Sequence, residues 1–205
     1  SVPKSFEEGA GLCVCKEGGP LPEVRILPVD GESVRGKELV FRYESAFYYD
    51  PVLTETPEGW TLTLKKTPFP APVAKQFTDV LLSDWLEDPR VFAAEGDGRG
   101  LGFLELSREG WNNRMRVSNL WVAEDFRRQG IGAALMGRAE EEARRAGARA
   151  LVLETQSCNH PAIRFYRRQG FGLIGLDLTA YSQTDAEKQE VRLEFARPVP
   201  FEKEK

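Results

Sequence analysis

A chain of 205 residues, 41% hydrophobic and 29% charged, can bury a real core and has the balance of a globular protein. Its formal net charge of -4 gives no general attraction for nucleic acid, and no apolar run approaches the roughly 20 residues that cross a membrane. Three cysteines and one histidine, His160, exclude a disulfide framework, a histidine-rich metal site and most Ser-His-Asp or Cys-His chemistry. Cys13 and Cys15 form a C-x-C too short for an unstrained bridge. They lack the further ligands of a zinc site, so no metal is expected. Cys158 reads as a small buried hydrophobe, and a reduced, cytoplasmic setting follows. The stretch SVPKSFEEGAGLC has no cationic region followed by an apolar one, so no signal peptide is expected.

Residues 1–22 mix glycine, proline and charge without a period and read as a loosely ordered arm. EVRILPV (23–29) is a short strand. ELVFRYESAFYY (38–49) and GWTLTLKK (59–66) are strands about a DPVLTETPEG turn, and the proline-dense TPFPAP (67–72) is an extended connector. Phe77, Val80, Leu81 and Trp85 recur at helical spacing, and Pro89 ends that expected helix. RVFAAEG and GLGFLELS flank GDGRG as a hairpin, and WNNRMRVSNLWVAE is the next strand.

A helix follows, with Ile131, Ala134, Leu135, Ala139 and Ala143 on its apolar face. Glu140–Arg144 and Glu141–Arg145 pair on its outer face, and Gly147 closes it. ARALVLET (148–155) is a buried strand. NHPAIRFYRRQG is a second helix, capped by Asn159, with Pro161 in its first turn and Gly170 at its end. FGLIGLDLTAY and QEVRLEFARP are the last strands. The strand–helix–strand–helix–strand order over 114–178 is an α/β unit with parallel neighbours, and 23–205 is expected to form one domain.

The stretch DFRRQGIGAALM (125–136) joins a strand to a helix through Gly130 and Gly132. Free amides at a helix start, the helix dipole and the cations Arg127 and Arg128 make an anion site, unless the segment is a plain surface turn. A P-loop would need Gly-Lys-Ser/Thr, which is absent. A dinucleotide fingerprint would need a small residue where Leu135 stands, although Glu154 could serve as its ribose-binding acid. About five strands precede the stretch, whereas that fingerprint opens a chain's first βαβ unit.

Arg127-Arg128-Gln129-Gly130-Ile131-Gly132 resembles the R-x-x-G-x-G acetyl-CoA loop of the GNAT N-acetyltransferases. ETQSCNHPAIRFYRRQGFGLIGLD resembles that family's second half-site, N-x-x-A-x-x-F-Y-x-x-x-G-F, in the family's order. The resemblance covers about residues 90–178, the cofactor core. WNNRMRVSNLWVAEDFRRQGIGAALM, ETQSCNHPAIRFY and LDLTAYSQTDAEKQEVRLEF look closest to the streptothricin acetyltransferases and their relatives.

The resemblance implies a GNAT fold, a mixed central sheet flanked by helices and splayed at the acetyl-CoA site. It implies pyrophosphate held by amides from Gln129 to Ala133, with Arg127 or Arg128 in support. Trp121-Val122 would end the strand beside the pantetheine arm, the Val122 amide facing the thioester carbonyl. Asn159 would cap its helix and touch the cofactor. Tyr166 would protonate the departing thiolate, and Glu105, on a strand expected to border the acceptor cleft, would act as base or acidic lining. Asp177 and Glu154 are other candidate bases. Where some members carry an acid or histidine, this chain has Arg116 and Ser118. Phe165 reads as core and Arg168 as a solvated cation that could also reach the CoA 3′-phosphate. Trp111, Trp121 and Tyr181 are core aromatics or walls of the acceptor site.

The implied reaction is acetyl transfer from acetyl-CoA to a primary amine in a ternary complex, without metal. The amine would belong to a streptothricin-like antibiotic, another cationic metabolite or a protein lysine. An acyl-CoA-binding module without chemistry and a dinucleotide-binding oxidoreductase are the alternatives. No nucleic-acid or membrane partner is expected, and the oligomeric state is open, with a homodimer among the options.

Overall fold

The computed structural model describes residues 23–200, so the expected arm over 1–22 and the Cys13–Cys15 pair lie outside the described residues. The fold is α/β, with a mixed seven-stranded sheet and two helices. The elements are β1 (Arg25–Val29), β2 (Glu38–Thr56), β3 (Gly59–Val80), β4 (Glu87–Gly96), β5 (Arg99–Glu109) and β6 (Arg114–Val122). They continue as α1 (Ile131–Arg145), β7 (Ala150–Gln156), α2 (His160–Arg168), β8 (Gly172–Asp177) and β9 (Arg192–Pro198). The chain divides into two compact units: one holds Thr78–Leu151 with the segments ending at Leu39 and beginning at Pro198, the other Val40–Phe77 and Val152–Arg197.

In the first unit β1, β4, β5 and β6 pair antiparallel in that order. Asp97 and Gly98 both take positive φ at the β4–β5 turn, as a tight hairpin with native twist requires. β5 is the central strand: every residue from Leu101 to Ser107 is buried. This explains why GLGFLELS reads as a run rather than an alternation. α1 supplies Ile131, Leu135, Met136, Ala139 and Ala143 to the same core.

Two details of α1 differ from expectation. Ala134 is exposed, while Met136 and the acid Glu142 are buried. Glu142 can go in because Arg90, Arg138 and Arg145 all reach its carboxylate, at 3.2, 2.9 and 2.9 Å. Arg145 is thereby taken from Glu141, which pairs instead with Arg138 at 3.5 Å; Glu140–Arg144 forms at 2.8 Å.

The second unit contains the β2–β3 ribbon, a two-stranded sheet much longer than its sequence suggests. TPFPAP is part of β3 rather than a connector. Pro68, Pro70 and Pro72 fall at every second position, so all three missing N–H groups lie on one edge of the strand, the side that has no ladder to supply. The helix expected over 77–85 does not form. Phe77 and Val80 belong to β3, and Phe77 stacks on Phe41 at 4.7 Å. Leu82 has φ 60, incompatible with a helix, and Trp85 is exposed. Trp111 likewise leaves the expected strand for a single 3-10 turn at Gly110–Asn112, because Asn113 at φ 55 breaks the extension before β6. In this unit β8 and β9 pair antiparallel, and Asn159 caps α2 by accepting the Ala162 N–H at 3.2 Å.

Two substitutions test the first unit. Leu104→Ala, at a wholly buried position, should lower the unfolding free energy by about 2–5 kcal/mol. Gly137→Ala, inside α1 where an added methyl meets nothing within 4 Å, should raise it by about 1 kcal/mol, both read from urea titrations.

Candidate functional site

The first unit brings together Trp121, Val122 and the segment Arg127–Ala133. After β6 the chain makes a 3-10 turn at Glu124–Phe126, whose carbonyl at Asp125 accepts from the Gln129 side chain at 3.0 Å. Arg127 donates its Nε to the Val122 carbonyl at 3.1 Å, tying the loop back to the end of β6. Arg128 is exposed with φ 63, and Gly130, at φ 86, is the residue before α1. A Cβ at Gly130 would meet nothing within 4 Å, so open space lies over this backbone. The first helical bond of α1 runs from the Ala134 N–H to the Gly130 carbonyl at 3.0 Å. The amides of Ile131, Gly132 and Ala133 therefore precede the ladder, as anion binding at a helix start requires. These residues fit a pyrophosphate.

The direction of the Val122 amide follows from the β5–β6 register. Glu105 faces Asn119 but Leu106 faces Val117, so Ser118 is an extra residue, a β-bulge. Beyond it the Ala123 N–H reaches the Leu101 carbonyl at 2.9 Å. Alternation then turns the Val122 N–H to the opposite edge of β6. Gly102 is needed alongside: a Cβ there would stand 2.6 Å from the Trp121 carbonyl oxygen. Gly102 and Asn119 were not singled out in the sequence. A glycine inside a buried strand and an amide within RVSNLWV were the signals that could have found them.

Glu105 is wholly buried. Its Oε1 accepts the Leu82 N–H at 2.6 Å and its Oε2 accepts the Asn119 side-chain amide at 2.9 Å. Burial pushes its carboxyl above the usual range, against the opposing pull of those two bonds. Arg116 and Ser118 have their own structural partners. Arg116 and Arg114 both grip Glu109 at 2.6 Å, and the Ser118 and Ser107 hydroxyls lie 2.7 Å apart. Burial opposes ionisation of Glu109, but Arg116 and Arg114 outweigh it and hold the carboxyl below the usual range.

Asn159 and Tyr166 belong to the second unit. Tyr166 is largely buried in α2, its ring 5.5 Å from Phe165 and 6.2 Å from Phe171. Burial pushes its hydroxyl up to about 12, so at neutral pH it is a proton-bearing donor. Arg168 and Asp177 are exposed. Glu154 lies 3.6 Å from Arg192, and the Tyr181 hydroxyl is pushed up by burial and then by the nearby negative charge of Glu154. Trp111 is exposed on its turn in the first unit. The buried Cys158 thiol lies 3.2 Å from the Tyr43 hydroxyl, which also donates to Gln156 at 3.2 Å.

The sequence pattern of the Acetyltransferase (GNAT) family matches residues 60–171. The chain belongs to the GNAT acetyltransferase family. It is 35% identical to streptothricin acetyltransferase of Streptomyces lavendulae, over 84% of this chain and 92% of that one. Identity to streptothricin acetyltransferase A of Bacillus subtilis (strain 168) is 32%, over 60% and 71%. The crystal structure of nourseothricin acetyltransferase superposes with a TM-score of 0.66 at 36% identity, covering 86% of this chain and 99% of that one. A putative streptothricin acetyltransferase of Bacillus anthracis str. Ames, in complex with acetyl coenzyme A, has the same fold at a TM-score of 0.62 and 18% identity. This GNAT member is thus an N-acetyltransferase that moves acetyl from acetyl-CoA to an amine. Among the described residues no helix is long and apolar enough to cross a membrane.

Gly102→Ala should weaken acetyl-CoA binding in isothermal titration and destabilise the fold by about 1–3 kcal/mol, because the added methyl pushes on β6 backbone rather than on a mobile side chain. His160 gives a pH test. Burial, then the Lys66 and Arg164 cations, lower its pKa in the folded state. The folded protein therefore binds fewer protons here, and the contribution to stability is full above the unfolded value of about 6.5 and lost as pH falls below it. Replacing His160 with Gln should flatten the fall in unfolding free energy between neutral and mildly acidic pH.

Proposed function

We propose that this acetyltransferase acts on a primary amine of a small cationic metabolite of the streptothricin class. The observation that carries the reading is the 35% identity over 92% of the Streptomyces lavendulae enzyme, nearly its whole length. A protein lysine is the competing acceptor. Residues 23–205 act as one catalytic domain, in the cytoplasm.

Amides from Gln129 to Ala133, with Arg127 and Arg128 adding charge, hold the pyrophosphate, and Trp121, Val122 and Asn159 bind the rest of the cofactor. The neutral amine attacks the thioester carbonyl carbon. Negative charge gathers on the carbonyl oxygen, where the Val122 N–H donates to it. The C–S bond then breaks, and the Tyr166 hydroxyl donates to the departing sulfur. A carboxylate takes the amine proton, directly or through water, and Glu105 is our assignment. The support is its place on β5 beside the bulge and its Asn119 contact.

Tyr166→Phe should lower kcat by about 10²- to 10⁴-fold while the Kd for CoA holds, measured by thiol release and titration calorimetry. Unchanged turnover would remove Tyr166 from the mechanism, and absence of CoA binding by the wild type would sink the whole reading. An amine panel spanning streptothricin, small polyamines and a lysine peptide should give the highest kcat/KM for the antibiotic. Glu105→Gln separates two parts this carboxyl could play. Loss of the ascending limb of kcat/KM against pH identifies the base, and loss of stability with that limb intact identifies a fastening group.

A further inference from the structure

The β2–β3 ribbon carries an apolar face that continues past the helix it packs on. β2 ends at Thr56 and β3 begins at Gly59, so a two-residue turn, Pro57–Glu58, sets Thr56 opposite Gly59. The Thr56 hydroxyl reaches the Gly59 carbonyl at 3.4 Å. With a period of two, Pro51, Leu53 and Glu55 of β2 then share one face with Trp60, Leu62 and Leu64 of β3. The opposite face carries Thr54, Thr61, Thr63 and Val52. Nearer the base, Phe47 and Tyr49 continue the apolar face and pack on His160, with ring centroids at 5.3 and 5.7 Å. Lys66 belongs to the same face, since its Nζ lies 3.8 Å over the Phe47 ring. Toward the tip the face is open: Trp60 is 72% exposed, Leu53 55% and Leu62 45%.

Large exposed apolar groups gathered on one face mark an interaction surface. The pattern of charge on this face identifies its partner. Glu55 marks the tip and Lys66 the base, about 20 Å apart along the ribbon at 3.3 Å per residue. The apolar rows Leu53/Leu62 and Pro51/Leu64 lie midway between them. A face with an acid at one end, a cation at the other and apolar rows at the centre is complementary to itself turned end for end. We propose that two copies of this chain associate through this face, antiparallel about a two-fold axis, with Glu55 of each copy against Lys66 of the other. Such an interface is isologous and closes as a dimer, so it does not propagate. Its central rows are aliphatic and its charges stand toward the two ends, the usual arrangement of an interface.

Sedimentation velocity on the full chain across micromolar concentrations is the test. The expected result is a monomer–dimer equilibrium that the double variant Trp60→Asp/Leu62→Asp abolishes, with acetyl-CoA affinity and far-UV dichroism unchanged to show that the fold survives. Glu55→Lys and Lys66→Glu should each raise the dimer Kd about tenfold, and their combination should return it toward wild type. A monomer at every concentration would overturn the proposal. So would a dimer indifferent to the tip substitutions, or a combined charge swap no better than the single ones. A monomer that instead binds lipid vesicles through Trp60 would assign the face to a membrane surface and overturn it too.

Discussion

A carboxyl group inside a strand buried on both faces has to be given hydrogen-bond partners, and much of the first unit is arranged around that demand. Glu105 takes one donor from Leu82, held in a left-handed turn, and one from Asn119 on β6. Asn119 faces Glu105 only because Ser118 is inserted as a bulge. Without that extra residue the pairing of Leu106 with Val117 would continue in step, and Val122 would face Leu101 with its N–H spent in the ladder. With it, Ala123 makes that bond and Val122 is turned outward. One buried acid and one extra residue thus set the backbone group on which catalysis depends in our reading.

Charge is handled the same way elsewhere in this unit. Glu142 is surrounded by three arginines, Arg138 and Arg145 of its own helix and Arg90 of β4, and Glu109 by two arginines of β6. Breaking such a cluster from the acid side leaves several guanidiniums crowded together, and breaking it from the arginine side strands a buried carboxylate. These acids are consequently poor sites for neutralising substitutions even though they touch no ligand.

The parts legible in the sequence are those governed by local backbone demands. The glycine-rich start of α1, the Asn159 cap and the Asp97-Gly98 turn are each dictated by a few neighbouring residues. The misread helix over 77–85 shows the limit. Phe77, Leu81 and Trp85 recur every four residues, and that interval also returns a strand to the same face. What decides is the distant pairing of β3 with β2, which no local pattern reports. The burial of Glu105 is invisible for the same reason, since its partners stand 23 and 14 residues away. The assignment of Trp121, Val122 and Tyr166 to the site, which we propose, rests on the family pattern alone, because nothing in their sequence neighbourhood separates a site residue from a core one.

The prolines of β3 have an effect beyond allowing an extended chain. A long two-stranded ribbon offers rows of unused N–H and C=O groups, an invitation to further strands and finally to fibres. On the edge bearing Pro68, Pro70 and Pro72 every donor is missing over five residues, so an incoming strand would leave its own carbonyls without partners there. Growth by strand addition is discouraged along that edge, while the broad side of the ribbon remains free to meet another surface. The prolines act as a guard against polymerisation.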